Sequence, residues 1–465
     1  MKNTYLLRYA GGILLFALGA LASHFGVTVL SFVLFLVLAA GETVLCYREQ
    51  RRILDFRILL SLSWLLAIGL SRLDLSLHQT PFSLNTWLAC GLFYFGFLAA
   101  YDLFVFLNGR RQEGGGQEAA AEPASGDGAV VPVQMPERYL KRLKLAIFIV
   151  AGLGLAGFLA ECVVFRFEIP ILVRGISHSY SEFHISGVHY FVVSLWMVHA
   201  LTVIYMLRKK CDESETMGLL ILNLACFAVP VMLLSKFQIL IHALLPGIIY
   251  LLLRGPANRK KMVILGSIAA VLLAGMFVLI IFARHYPETY LAWVFQFRKP
   301  ETPVGIQYVY MYIVNNLENL NLLVNNISRF TFGARQLFPF IALTGIKFLM
   351  LKNGIPPFFQ YELFMTVPEL TTLSILYDVY GDFGVPGCLL FGLLLGLAGA
   401  WITERAKRGT VAGLLLYSQL AVYVALSFFT TWFSNPATWF FLAATGAIAV
   451  FLRIGNGKKG DSYGS

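Results

Sequence analysis

Two aspartates stand four residues apart in the stretch ILYDVYGDFGVPGCLLFGLLLG, residues 375–396. Asp378 and Asp382 share one face if this stretch is helical, and two carboxylates that close could share a proton. Each could instead flank the start of the apolar run that begins near Val385, because the helix dipole favours acids at a helix N-terminus. We interpret Asp382 as a structural cap and Asp378 as the better candidate for chemistry.

The composition predicts that these acids belong to a membrane protein. The 465 residues are 58% hydrophobic and 13% charged, whereas a soluble domain carries about 25% charge. We predict an all-α polytopic integral membrane protein, a single membrane domain over residues 1–465. Windows of about 20 apolar residues, the length that crosses the hydrocarbon core, predict twelve transmembrane helices near residues 6–23, 25–46, 54–71, 85–106, 142–164, 188–207, 216–234, 237–253, 262–283, 385–402, 411–430 and 437–453.

Charge sets the predicted orientation of these helices. If the helices alternate, most of the 36 Lys and Arg share a side with the N-terminus, which predicts that both termini are cytoplasmic. The net charge of +11 then reflects topology and does not indicate nucleic-acid binding. Residues 109–137 are rich in Gly, Ala, Pro and Glu and are predicted to form a disordered cytoplasmic linker. No nucleotide-binding motif opens any predicted helix.

Two segments on the opposite side carry most of the polar residues. One is residues 165–187, and the other, residues 284–384, is a large external loop between the ninth and tenth helices that is too long to be a simple connection. Within it, residues 308–330 have apolar side chains spaced by three or four, which predicts a helix at the membrane surface. Asn316, Asn319 and Asn326 lie off that apolar stripe, where they could bind sugar hydroxyls or simply face solvent.

The end of the large loop carries a motif that resembles a known family. Twelve spans, this loop, a Thr-rich stretch (Thr371, Thr372), Asp382-Phe383-Gly384 and the sequence from Gly384 to Gly387 are together similar to Wzy-type O-antigen and oligosaccharide repeat-unit polymerases. The resemblance implies a GT-C-like membrane glycosyltransferase in the bacterial inner membrane. Such an enzyme transfers a growing glycan from polyprenyl pyrophosphate to a fresh lipid-linked unit on the external leaflet. It builds O-antigen, capsule or exopolysaccharide.

That reaction has two chemical requirements. The leaving pyrophosphate needs a cation that binds phosphate oxygens bidentately, and the attacking hydroxyl needs a general base. The external arginines that could bind pyrophosphate are Arg174, Arg298, Arg329 and Arg335, each of which could also anchor a helix at the headgroups. The candidate bases, among which the sequence does not choose, are Asp378, Glu182, His178, Asp382 and Glu369. Gly384, Gly387, Thr371 and Thr372 are predicted to shape the motif.

No metal or soluble cofactor is expected, since the donor is already activated as a lipid pyrophosphate and the sequence has no HExxH, DxD or CxxC motif. The predicted partners are polyprenyl-pyrophosphate-linked oligosaccharides, membrane lipids, a chain-length regulator and a flippase. Two alternatives stay open. One is a lipid-linked oligosaccharide flippase or transporter. The other is an O-antigen ligase, although Leu373 and Ser374 stand where that family has a His-Asn pair.

Overall fold

A computed structural model describes residues 2–50, 52–114, 135–173, 182–254, 288–354, 363–367 and 370–454. In these ranges the chain forms helices and no strand, apart from one isolated antiparallel bridge between Ser76 and Phe297. The all-α prediction is confirmed for this part of the chain. The helices are α1 (Lys2–His24), α2 (Thr28–Gln50), α3 (Phe56–Ser71), α4 (Leu84–Gly114), α5 (Glu137–Val164), α6 (His189–Arg208), α7 (Glu213–Met232), α8 (Lys236–Arg254), α9 (Glu288–Phe295), α10 (Val304–Asn326), α11 (Ala334–Leu343), α12 (Ile346–Lys352), α13 (Leu376–Lys407), α14 (Val411–Ala425) and α15 (Pro436–Arg453).

Nine of the described helices are long and apolar enough to cross a membrane. They are α1, α2, α4 to α8, α13 and α15, so a polytopic membrane protein is confirmed. The predicted spans at 54–71 and 411–430 form α3 and α14, which are apolar but shorter. The predicted span at 262–283 lies outside the described residues. The total of twelve therefore stays a prediction.

The segment predicted as a large loop, 284–384, is mostly helical where the structure describes it. It contains α9 to α12 and the first turns of α13. Together α11 and α12 have the length and hydropathy of a membrane span, but they bend by 94° at their junction. The alternative in which the asparagines face solvent is wrong for Asn316 and Asn319, which are fully buried, whereas Asn326 at the end of α10 is exposed. Asn315, Asn319 and Leu320 of α10 are fully buried, because α10 packs against α3 and α9.

The predicted linker, 109–137, is also partly wrong. Helix α4 continues to Gly114 and α5 begins at Glu137, while residues 115–134 lie outside the described residues. The apolar run of α4 ends before the basic and acidic residues at 110–113, so hydropathy alone places the helix end too early. Residues 165–173 and 183–188 form turns and irregular structure between α5 and α6.

The contacts group the chain into two compact units. Unit 1 consists of the described residues of Met1–Ala119, Pro287–Trp401 and Tyr423–Trp439, and unit 2 of those in Ala120–Tyr286, Ile402–Val422 and Phe440–Ser465. In unit 1, buried ion pairs join α1 to α4. Arg8 binds Glu42 at 2.6 Å and Asp102 at 3.0 Å, and Arg57 binds Asp102 at 2.6 Å. Because a buried charge without its partner costs about 3–5 kcal/mol, this network fixes the four helices together.

Two glycines let α13 approach α4 within unit 1. A β-carbon at Gly392 would lie 2.4 Å from the carbonyl oxygen of Phe93, and one at Gly396 would lie 2.3 Å from that of Phe97. Small residues at such a spacing allow close packing of membrane helices, where dispersion and not the hydrophobic effect drives association. This contact sets the position of α13, the helix that carries Asp378 and Asp382.

Unit 2 is held by polar contacts between its spans. His199 on α6 contacts Asn223 of α7 at 2.6 Å and His242 of α8 at 3.0 Å. On the same unit, Glu161 of α5 contacts His189 at the start of α6 at 2.9 Å. Intramembrane polar groups are expensive unless they find partners, so these pairs define how α5 to α8 pack.

The α4–α13 contact makes two alanine substitutions on one helix differ in sign. Gly396→Ala is expected to destabilise the protein, because the new methyl group meets the Phe97 backbone. Gly399→Ala is the matched control, since its β-carbon would meet Phe56 at an ordinary 3.5 Å and alanine favours a helix by about 1 kcal/mol. Thermal unfolding of both variants in detergent measures this, and equal midpoints would contradict the close packing.

Candidate functional site

Arg335 and Asp378 form a buried ion pair inside the predicted motif region. Asp378 lies in the first turn of α13, and Arg335 lies in the first turn of α11. Arg335 Nη1 is 3.5 Å from Asp378 Oδ1, and the two side chains are 3% and 6% exposed. The Ser434 hydroxyl donates a hydrogen bond to Asp378 Oδ2. One carboxylate oxygen is thus bound and the other is loosely paired, since close charge-assisted N–H···O bonds measure about 2.7–2.9 Å.

Asp382 is a cap, but of a neighbouring helix. Its carboxylate accepts hydrogen bonds from the backbone N–H of Arg335 at 3.1 Å and of Gln336 at 3.0 Å, and from the Thr331 hydroxyl at 2.5 Å. The N-cap residue of α11 is Gly333, at φ 95°, and it has no side chain to offer. Asp382 therefore supplies the missing cap of α11, and the prediction that it flanks its own helix start is wrong.

The glycines near Asp382 are explained by close contacts. A β-carbon at Gly381 would lie 2.5 Å from Arg335 Cζ, so the guanidinium packs directly over this glycine. Gly384 has φ 62° and ψ −153° and interrupts α13, a backbone conformation that favours glycine. A β-carbon at Gly387 would lie 2.4 Å from Cβ of Phe383. The motif glycines thus allow the break in α13 and the close packing of the Arg335 guanidinium against this helix.

Buried asparagines of α10 hold the segment that leads into α13. Asn319 accepts from the Thr366 N–H at 2.9 Å and donates to the Thr372 carbonyl at 3.2 Å. Asn315 donates to the Leu370 carbonyl at 3.2 Å. Asn316, by contrast, donates to the Tyr312 carbonyl of its own helix, at 2.7 Å. The Asn315 and Asn319 amides therefore satisfy backbone groups of a partly buried irregular segment, which is a structural task.

A second buried ion pair, Arg72 with Glu318, lies elsewhere in unit 1. Glu318 also accepts from the Thr80 N–H at 3.1 Å, and the Arg72 guanidinium lies 3.5 Å from the centre of the Phe82 ring. Burial raises the pKa of Glu318 to about 7, although Arg72 opposes the shift. Sequence reasoning missed this pair. Its signal is that Glu318 is the one acid in the sequence of α10.

The other predicted site residues do not join the Asp378 cluster. Arg174, His178 and Glu369 lie outside the described residues. Glu182 belongs to unit 2 and its side chain is exposed. Arg298 pairs with Asp74 at 2.9 Å on the surface.

Three remaining predicted positions lie in the segments that precede α11 and α13. Arg329 and Thr371 are exposed, and the carbonyl of Thr372 is held by Asn319. Sequence reasoning did not find Ser434, because its contact with Asp378 joins residues 56 apart in the chain. The cluster of the predicted residues that the structure brings together is therefore Arg335, Asp378 and Asp382.

Unpartnered polar atoms mark the chemistry available at this cluster. The Ser374 hydroxyl is buried one turn before Asp378, and it has no hydrogen-bond partner among the described residues. Asp378 Oδ1 likewise accepts no hydrogen bond there. A carboxylate oxygen in this state can take a proton. Within the described ranges, no group of three or more His, Cys, Asp or Glu side chains is arranged to hold a metal ion.

Comparisons with known proteins do not assign the chain to a family. No family model matches it, and neither the curated proteins nor the solved structures include a match.

Asp382→Ala is expected to lower the stability of the protein by more than an ordinary cap substitution, which costs about 0.5–2 kcal/mol. The substitution removes three hydrogen bonds, two from backbone N–H groups of α11 and one from the Thr331 hydroxyl. The matched control is Asp212→Ala, which removes one exposed N-cap bond, to the Glu215 N–H at 2.7 Å. The measurement is the thermal midpoint of each variant in the same detergent. An equal or smaller loss at Asp382 would show that its cap has no extra weight.

Proposed function

We propose that the protein is a membrane glycosyltransferase that polymerises polyprenyl-pyrophosphate-linked oligosaccharide repeat units into a surface polysaccharide such as O-antigen, capsule or exopolysaccharide. It acts on the external leaflet of the bacterial inner membrane, with both termini cytoplasmic and a GT-C-like arrangement of helices. The observation that carries the proposal is the Asp378 carboxylate. It lies inside the stretch that resembles Wzy-type polymerases. Ser434 binds one of its oxygens, and the other lies 3.5 Å from Arg335 Nη1 and accepts no hydrogen bond among the described residues.

In the proposed reaction Asp378 is the general base. The acceptor hydroxyl oxygen attacks the anomeric carbon of the donor, and its proton passes to Asp378 Oδ1. The bond from that carbon to the pyrophosphate oxygen breaks, and the lipid pyrophosphate leaves with the bonding electrons. Such proton transfer contributes about 10²–10⁴-fold to a rate. Arg335 orients the carboxylate and balances its charge, so it is a positioning residue.

Arg329 is the proposed contact for the leaving pyrophosphate. Its side chain is exposed, whereas Arg335 is buried and Arg298 is paired with Asp74. Two residues further on, the Thr331 hydroxyl binds Asp382 and the Thr331 N–H binds the Gly381 carbonyl at 3.1 Å. The backbone that carries Arg329 is therefore anchored to the same turn of α13 that borders Asp378.

A lipid-linked oligosaccharide flippase is the second candidate. The observation that favours it is the buried His199–His242 contact at 3.0 Å between α6 and α8, because transporters place ionisable residues inside their spans. The chain of contacts continues from His199 to Asn223 and from Asn223 to the Thr202 hydroxyl at 3.0 Å.

A gel of the surface glycan from cells with and without the gene separates these functions. A ladder that collapses to a single repeat unit on its normal acceptor supports the polymerase, because export and ligation still work. Loss of all surface glycan, with lipid-linked units accumulating in the cell, supports the flippase. Long polymer that stays on its lipid carrier supports a ligase and contradicts the polymerase.

In a strain that lacks the gene, Asp378→Asn is expected to restore about 10²-fold less polymer than the wild-type protein, at equal protein level, because the amide cannot take the proton. Asp382→Asn should impair the ladder less, since the amide oxygen still caps α11. Glu182→Gln is the control at an exposed carboxylate and should restore the full ladder. Full restoration by Asp378→Asn would exclude it as the base.

Gly381→Ala tests the positioning role of Arg335 without changing any charge. The added methyl group displaces the guanidinium that lies 2.5 Å away, so the ladder should shorten or fade. Gly446→Ala is the matched control, because a β-carbon there meets nothing within 4 Å. Unchanged polymer in both variants would show that the position of Arg335 does not matter to the reaction.

A further inference from the structure

An apolar groove of about 460 Å³ lies in unit 2, between α5, α6 and α15. Phe191, Phe440 and Phe451 line it, and the exposed alanines Ala443 and Ala447 leave its space open along α15. The volume lies within the range of about 300–1,000 Å³ that is typical of small-molecule sites. The groove is therefore large enough to hold a ligand.

The chemistry of the lining selects a hydrocarbon. Ser194 is the one lining residue with a polar side chain. Its hydroxyl already donates a hydrogen bond to the Tyr190 carbonyl, at 2.6 Å. The remaining lining side chains are aliphatic, aromatic or thioether. A sugar or nucleotide would lose its hydrogen bonds with water here and gain none, at a cost of several kcal/mol. An alkyl chain has no hydrogen bonds with water to lose.

The length of the groove corresponds to one leaflet. Along α15 the lining runs from Phe440 to Phe451, which is roughly 16 Å at the rise of an α-helix. The hydrocarbon core of a bilayer is about 30 Å thick. The groove therefore extends about as far as the hydrocarbon chains of a single leaflet.

Unneutralised positive charge lies at one end of the groove. Arg142, one turn before the lining residue Ala146, donates from Nη1 to the Phe451 carbonyl at 3.3 Å. Arg453 follows two residues after Phe451 and is exposed. Neither arginine pairs with an acidic side chain of the described ranges. Lys144 on the same helix, by contrast, is neutralised by Glu215 at 2.7 Å.

We propose that the groove binds one acyl chain of an anionic phospholipid, whose phosphate contacts Arg142 and Arg453. The lipid comes from the leaflet at the Arg142 end, which the distribution of basic residues predicts to be cytoplasmic. The proposal is independent of the polymerase function, which concerns the opposite leaflet. It assigns unit 2 a structural lipid that seals the space between α5, α6 and α15.

The test is native mass spectrometry of the purified full chain, titrated with dioleoyl phosphatidylglycerol or dioleoyl phosphatidylcholine, which have identical acyl chains. The anionic lipid is expected to bind at least five-fold more tightly. Arg142→Gln should weaken the binding of phosphatidylglycerol about five-fold, the equivalent of about 1 kcal/mol for one basic residue near anionic lipid. The binding of phosphatidylcholine should not change. Ala447→Phe, which fills the groove, should weaken both lipids.

Matched variants on the same helices control these effects. Lys141→Gln removes a neighbouring exposed charge of α5, and Val450→Phe adds the same ring at an exposed position of α15 outside the groove. Neither should change lipid binding. Ala443→Phe repeats the filling test at a second position. Equal affinity for the two lipids, or no effect of the filled groove, would overturn the proposal. Displacement of phosphatidylglycerol by a lower concentration of undecaprenyl phosphate would overturn it in favour of a carrier lipid.

Discussion

The cap that Asp382 provides to α11 is the contact on which the candidate site depends. The Asp382 carboxylate binds two N–H groups at the start of α11 and the Thr331 hydroxyl just before that helix. These bonds fix the orientation of α11 relative to α13. With that orientation fixed, Arg335 lies over Gly381 and reaches Asp378. A helix N-terminus carries partial positive charge, and a buried carboxylate there satisfies both the helix and itself. One acid thus serves structure so that the other is held beside a cation.

Hydrogen bonding distinguishes the buried polar groups that stabilise the fold from those that are candidates for chemistry. Asn315, Asn319 and Glu318 of α10 are buried, and each has partners on the chain that it supports. Such groups stabilise the fold because an unpaired buried polar group costs about 1–3 kcal/mol. Asp378 and Ser374 differ, since each keeps a polar atom without a hydrogen bond among the described residues. Buried polar atoms without a hydrogen bond among the described residues also occur at Gln307, Asn316, Thr372 and Ser427. Asp378 differs from them because its open oxygen belongs to a carboxylate, which can accept a proton.

The two units carry different kinds of candidate site. Unit 1 holds the buried carboxylate cluster, whose chemistry is proton transfer and charge stabilisation. Unit 2 holds the His199–His242 contact and an apolar groove with basic residues at one end. The groove offers no unpartnered polar side-chain atoms to the hydroxyl groups of a sugar, whereas the Asp378 cluster does. Polar atoms without partners attract hydroxyl groups, and a lining without them accepts hydrocarbon.

The sequence by itself determined the membrane class and the positions of most helices, because the thickness of a bilayer sets how many consecutive apolar residues a span needs, and that is a local property of the chain. The break in α13 at Gly384 was found only in the structure. Only the tertiary structure decided what each polar residue contacts. Apolar residues spaced by three or four fit a surface helix as well as a buried one, so the pattern of α10 did not reveal that its amides bind Thr366 and Thr372. Likewise, Asp382 binds backbone N–H groups 46 and 47 residues earlier in the chain, and no local pattern encodes a contact between positions so far apart.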